Sequence, residues 1–291
     1  MMRKMFLRFA GLGDDLFVNT MAYYYWLEHR KKVVVAGAYP DLFRGNPGVL
    51  ILPTHSQRRA HKFGRLMEEL GLIDSMTYME YQTNEEQGGM KPMRGHILQV
   101  LAERVGVSNV PEKPVLFLSK KELKRNALPS TGKSWVAIHS TGVTQMTANK
   151  NWYPDRFVAL AKEIRKKYSV VQFGMESDPV LDNDLDLRGR TTPRAAAAVL
   201  ASCSALVCQV GYLMHAATAV GTRAVVIYGG FEAPWESGYK QNINLYSDLP
   251  CSPCWLRKPC VYDKECMKRI SVEDVLAGLE KIMVCDRRCF T

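Results

Sequence analysis

The sequence predicts an α/β protein built as two successive units, each a parallel sheet with crossover helices. Three observations lead there. Short apolar runs alternate with helical patterns along the chain, as expected for strands buried on both faces and linked by helices. A proline- and charge-rich stretch, Val110 to Lys133, with Pro111, Pro114 and Pro129, interrupts the series near the middle. The chain has 291 residues, 47% of them hydrophobic, which is enough for two buried cores and too apolar for disorder. Domains are therefore expected over residues 1–125 and 126–291.

In the first unit, Lys4 to Phe9 reads as a strand and Gly11-Leu12-Gly13-Asp14-Asp15 as a tight turn. A helix from Leu16 to His29 follows, then buried strands at Val33 to Ala36 and Val49 to Leu52. Lys62 to Leu70 and Met93 to Val105 have helical spacing. The second unit opens with the strand Trp135 to His139, which runs into the polar loop Ser140-Thr141-Gly142. Tyr153 to Tyr168 is a helix with Pro154 and Asp155 at its start. The strand Ser169 to Phe173 ends at Gly174, and the helix Pro193 to Ser202 precedes the strand Ala205 to Cys208. After Gly211 a helix is expected over Leu213 to Val220, then a strand over Ala224 to Tyr228 ending in Gly229-Gly230. The last helix, Ser271 to Met283, is capped by Ser271 and carries Glu273 and Asp274 in its first turn.

Charge and cysteine content narrow the function. With 39 basic and 29 acidic residues the formal net charge is +10, which favours a polyanionic partner such as nucleic acid, anionic lipid or a phosphorylated glycan. No apolar run is long enough to span a bilayer, and the basic start MMRKMFLRF is broken by Arg8, Asp14 and Asp15, so it does not read as a secretory signal. A cytoplasmic location is expected, peripheral contact with the inner face of the cytoplasmic membrane included. Eight cysteines without a signal argue against a disulfide framework. Four of them, Cys251, Cys254, Cys260 and Cys266, form a C-x2-C-x5-C-x5-C tail. Four thiolates at such spacing suit a tetrahedral structural zinc or iron site, and a reduced metal-free cluster is the alternative. The basic residues Arg257, Lys258, Lys264, Lys268 and Arg269 around it would stabilise thiolates.

Several loops fall at carboxyl ends of strands, where open α/β sheets bind ligands. A nucleotide diphosphate needs helix N-termini and backbone N–H groups, which the Gly211-to-His215 turn and Thr141-Gly142 both offer. Lys150 is a candidate charge for a departing diphosphate and His215 a candidate donor to a phosphate oxygen.

Six segments, in order, resemble the family 9 glycosyltransferases, whose best-known members are the ADP-heptose heptosyltransferases of lipopolysaccharide assembly. GLGDDLFVNT from Gly11 resembles the family's Gly-Asp loop, and KNWYPDRFVALAKEI from Lys150 its Lys-x-Trp-x-Pro-x-Arg-Phe helix start. FGMESD from Phe173 resembles the Gly-x-x-Glu turn, which places Gly174, Met175 and Glu176 beside the nucleotide, with Glu176 near the ribose. LRGRTTPRAAAAVLASCSALV from Leu187 and GYLMHAATAVGTRAVVIYGGF from Gly211 resemble the donor-loop region, and CSPC with Cys260 and Cys266 the family's cysteine tail. Coverage is dense in the second half and thin between residues 40 and 110.

The resemblance implies a GT-B architecture, two Rossmann-like domains facing a central cleft, with the acceptor on the first and the donor mainly on the second. It implies sugar transfer, most readily of heptose from ADP-heptose, to a glycan, lipid-linked or protein acceptor in cell-surface polysaccharide synthesis, with inversion. No cofactor is required for such a transfer. Asp14, in the Gly-Asp position, is the expected general base, with Asp15 its rival; an Asp before a helix is also an ordinary cap. One departure stands out. Where the family carries an acid at the start of the donor loop, this chain has Gln209-Val210 before Gly211-Tyr212, which puts the donor sugar in question. Two other readings follow from the residues: a basic nucleic-acid-binding protein with a four-cysteine metal site, and a catalytically silent scaffold. A nucleic-acid partner is disfavoured, because no interleaved aromatic-basic motif or reading helix is present.

Overall fold

A computed structural model describes residues 3–81, 95–140 and 147–288, with side chains described as far as Val284. Thr141 and Gly142 lie outside the described residues, as do Met93 and Cys289. The chain forms two compact units that separate after Lys120.

The first unit begins with β1 (Arg3–Arg8), α1 (Leu12–His29), β2 (Val33–Gly37) and β3 (Val49–Ile51). It continues with α2 (Gln57–Glu69), β4 (Ile73–Tyr78) and α3 (Ile97–Val105). Its four strands are all parallel and ordered β3-β2-β1-β4. The centre of β1 is Met5, Phe6 and Leu7, all buried, because helices cover both faces of the sheet. Helix α2 seats itself with small residues. A Cβ on Gly64 would fall 2.2 Å from the Met76 sulfur and 3.0 Å from that of Met5, so the glycine allows the helix to lie close to the sheet. Helix α1 starts at Leu12, four residues before the expected start, because Gly11 serves as its N-cap and Asp14 bonds back to the Gly11 N–H at 2.8 Å. The expected turn is thus the helix's own first turn.

The second unit holds α4 (Lys120–Arg125), β5 (Trp135–His139), α5 (Pro154–Lys167), β6 (Ser169–Phe173), β7 (Leu185–Asp186) and α6 (Pro193–Leu200). Then come β8 (Ala205–Gln209), α7 (Tyr212–Val220), β9 (Ala224–Gly229), α8 (Pro234–Ser237), β10 (Ile243–Tyr246), α9 (Glu265–Lys268) and α10 (Val272–Arg288). Its six parallel strands are ordered β10-β9-β8-β5-β6-β7. Counted within the unit, that is the strand order of a dinucleotide-binding sheet, with its switch point between β5 and β8. Strands β6, β8 and β9 are buried at every position, and one core joins them to α5 and α10 through Phe157, Leu160, Ile164, Val275 and Leu279. Trp152, fully buried, meets Phe157 edge-on at 5.0 Å and donates its indole N–H to the Ile270 carbonyl. Among the described residues, no helix is long and apolar enough to cross a membrane.

Candidate functional site

In the second unit the carboxyl ends of β5, β6 and β8 carry the sequence-identified residues, at the place where such a sheet receives nucleotides. Gln209 closes β8, and its side chain is drawn inward, where it accepts a hydrogen bond from the Trp152 N–H. Val210 follows, buried, and Gly211 caps α7. The Gly211 backbone is extended, and among the described residues a Cβ there would meet nothing within 4 Å, so no described atom fills the space before the helix N-terminus. The N–H groups of the first turn of α7 lack intrahelical partners, and the positive end of the helix dipole lies behind them. His215, buried on that helix, pairs its Nδ1 with the Tyr239 hydroxyl at 2.6 Å. Burial holds the Tyr239 phenol well above its usual range, so it keeps its proton. Tyr212 reaches back to the Pro193 carbonyl at 3.0 Å and ties α7 to α6.

Lys150 ends a 3₁₀ turn (Ala148–Lys150) that Asn149 fastens to the carbonyls of Leu256 and Lys258, at 2.7 and 2.8 Å. Its ammonium forms a nearly buried ion pair with Glu232 and sits 4.7 Å from the centre of the Phe231 ring. Glu232 also accepts from Ser237 at 2.8 Å. The lysine predicted as an open charge is thus partnered by a carboxylate. Nothing in the sequence pattern marked Glu232, because the residue that matters lies 82 positions away on the loop after β9. At the end of β6, Gly174 has φ 151°, and a Cβ there would strike Asp178, whose carboxylate accepts from the Met175 N–H at 2.7 Å. This tight turn leaves Met175 and Glu176 exposed. His139, at the end of β5, was not singled out in the sequence; burial lowers its pKa to about 4, so it is a neutral imidazole at pH 7.

In the first unit the switch point lies between β1 and β4, and a cavity of about 170 Å³ opens there, lined by Arg8, Ala10, Gln57, Tyr78 and Glu80 among others. Asp14 borders this end of β1. It pairs with Arg8 at 2.8 Å, and the Arg8 guanidinium lies 5.0 Å from the Tyr81 ring centre. Asp15 is wholly buried, accepts from the Tyr39 N–H at 2.5 Å through one oxygen, and leaves the other oxygen without a partner. Desolvation raises its pKa to about 7.

The thiols of Cys251, Cys254, Cys260 and Cys266 are neighbours: charge on Cys251 or Cys260 would raise the Cys254 pKa, and charge on Cys254 or Cys260 would raise that of Cys266. All four are free, and burial pushes Cys254 and Cys266 up, toward the protonated form. Among the described residues, however, no group of three or more His, Cys, Asp or Glu is placed to hold a metal ion. The four thiols do not converge into a ligand cage, and no step is assigned to a metal.

Residues 76–265, the greater part of the chain, match the sequence model of glycosyltransferase family 9 (heptosyltransferase). The protein belongs to this family. No curated protein matches the sequence closely enough to count as a relative. Similar solved structures include a family 9 glycosyl transferase from Veillonella parvula, with a TM-score of 0.71 at 13% identity over 97% of each chain. The ADP-heptose lipopolysaccharide heptosyltransferase II of Escherichia coli gives 0.69 at 16% identity, covering 98% of this chain and 100% of that one. TibC from enterotoxigenic E. coli, an iron-containing dodecameric glycosyltransferase, gives 0.72 at 15%, covering 97% and 80%. These likenesses show the fold, GT-B, and the family makes the protein a heptosyltransferase-like glycosyltransferase.

Proposed function

We propose that this family member transfers a sugar, heptose in the first instance, from a nucleoside-diphosphate donor such as ADP-heptose to a glycan, lipid-linked or protein acceptor of the cell surface. The location that goes with this reading is cytoplasmic, at the inner face of the membrane. The open N-terminus of α7 at the switch point of the second sheet carries the proposal, because it offers a diphosphate fixed dipoles without a metal. His215, tied to the Tyr239 hydroxyl on the first turn of this helix, is the candidate donor to a phosphate oxygen. Lys150 adds charge, shared with Glu232.

In the proposed step the acceptor oxygen attacks the anomeric carbon opposite the diphosphate. The carbon–oxygen bond to phosphate breaks, the diphosphate leaves with the electron pair, and configuration inverts through an oxocarbenium-like transition state. The acceptor proton passes to Asp14. Its Oδ1 faces both Nε and Nη2 of Arg8, at 3.0 and 2.8 Å, while Oδ2 takes a single bond from the Gly11 N–H and keeps a lone pair for the proton. Asp15 is unsuited, because its carboxyl is wholly buried against the β2 loop.

Asp14→Ala should lower the transfer rate by about a hundredfold or more while donor affinity stays within about twofold. An unchanged rate would remove Asp14 from the chemistry. Two features favour a silent scaffold instead: Gln209-Val210 stands where the resemblance leads one to expect an acid, and Lys150 is already paired with Glu232. That reading predicts no transfer by the parent protein with any donor.

A further inference from the structure

Helix α2 has an unusual distribution of side chains. Ala60 and Gly64 face the sheet, and Arg59, Phe63, Leu66 and Leu70 share one outward stripe at helical spacing. The three apolar members are exposed, Leu70 at 61%, Leu66 at 51% and Phe63 at 36%, where an ordinary surface helix would carry polar residues. Arg58, Lys62 and Arg65 flank the stripe on one side, all exposed. None of the four cations of this helix is in an ion pair among the described residues, and the acids Glu68 and Glu69 are confined to the last turn. Arg59, Lys62, Phe63, Arg65, Leu66 and Glu69 together line a shallow groove. Apolar side chains at the crest with cations beside them are what an interfacial helix needs. The apolar groups enter the acyl boundary while the cations meet lipid phosphates.

We propose that α2 is a docking element for an anionic phospholipid bilayer, lying in the membrane plane with Phe63, Leu66 and Leu70 toward the lipid. The inference rests on the membrane-face location given above and adds the surface that achieves it. Charge complementarity selects the occupant: a second copy of this chain would bring the same unpaired cations against themselves, whereas an anionic bilayer satisfies them. A lipid surface would also concentrate the enzyme where a lipid-linked acceptor resides.

The test is flotation of the full chain with phosphatidylcholine vesicles, with and without phosphatidylglycerol. Binding is expected only to the anionic vesicles, and it should weaken as salt rises. Arg59→Glu with Lys62→Glu should cost about fivefold or more per cation. Phe63→Ser with Leu66→Ser and Leu70→Ser should abolish flotation, and both variants should melt with the parent. Equal binding to neutral vesicles, or none to either, would overturn the proposal. So would a parent dimer that the serine variant dissociates, since the face would then belong to a second copy. Nucleotide protection against unfolding, measured on the same samples, separates the two readings: its loss would sink the transferase assignment and leave the lipid result standing.

Discussion

Between Asp14 and Asp15 helix α1 turns by about 100°, which sets one carboxyl beside Arg8 at the sheet end and sends the other into the core. Asp15 is an acid whose folded-state pKa is raised to about 7 against 3.8 unfolded. Between those values the folded state binds the extra proton, so stability falls as pH rises through about 4 to 7 and the penalty is complete above that window. Asp15→Asn keeps an acceptor for the Tyr39 N–H and carries no charge. It should flatten this slope and raise stability at pH 8, with a ceiling of about 4 kcal/mol. Urea melts of parent and variant at pH 5 and pH 8 check it, and parallel pH profiles would contradict it. Gly37 faces the same carboxyl: a Cβ there would lie 2.4 Å from Oδ1 and 2.6 Å from Cγ of Asp15. Gly37→Ala should therefore destabilise by about 1 to 3 kcal/mol, as overpacking does. Doublets such as Asp14-Asp15 are legible as helix-start residues, but which one faces solvent depends on where the helix begins. That was set by Gly11 acting as cap, four residues earlier than the apolar pattern suggests.

At the scale of elements, the continuous apolar strands β5, β6, β8 and β9 could be read directly, because strands buried on both faces are apolar at nearly every position. Strands β4, β7 and β10 were not identified. They lie at sheet edges, are mostly half exposed, and carry no unbroken apolar run; β7 and β10 are short as well. The turn at Gly211 and the helix after it were legible from the glycine and the apolar pattern, whereas the Lys150–Glu232 pair joins a 3₁₀ turn to a loop after β9 and has no local signature. The cysteine tail is legible as a neighbourhood of thiols, and spacing alone does not report whether they converge. Thiol chemistry separates the two cysteine classes. Cys251 is exposed, while Cys203 and Cys208 are buried, with Cys203 pushed up to about 12 and Cys208 beyond. Under native conditions iodoacetamide should modify Cys251 first and leave Cys203 and Cys208 intact until unfolding, as read by peptide mass spectrometry. Early labelling of Cys208 would contradict the burial of β8.

For the whole molecule, the net charge of +10 is a statement about partners. Part of that excess sits unpaired on α2, and part surrounds the cysteine tail, where Arg269 and Lys268 are already paired with Glu265 and Asp263. Two parallel-sheet units were predicted from alternation, the proline-rich stretch between them and chain length, and the family from motif order. Gln209-Val210 after β8 and the Glu232 carboxylate on Lys150 are the two features that bear on the proposed donor choice. The central claim is that the second unit binds a nucleoside-diphosphate sugar at the α7 N-terminus. The measurement that reaches it most directly is thermal unfolding of the purified chain with ADP-heptose, ADP, UDP or an oligonucleotide. A donor at a hundredfold excess over its Kd should raise Tm by about 5 °C. ADP-heptose and ADP are expected to protect, the oligonucleotide is not, and Gly211→Trp, which fills the space before α7, should erase the shift. Protection by the oligonucleotide alone, or protection by ADP-heptose that survives Gly211→Trp, would contradict this account.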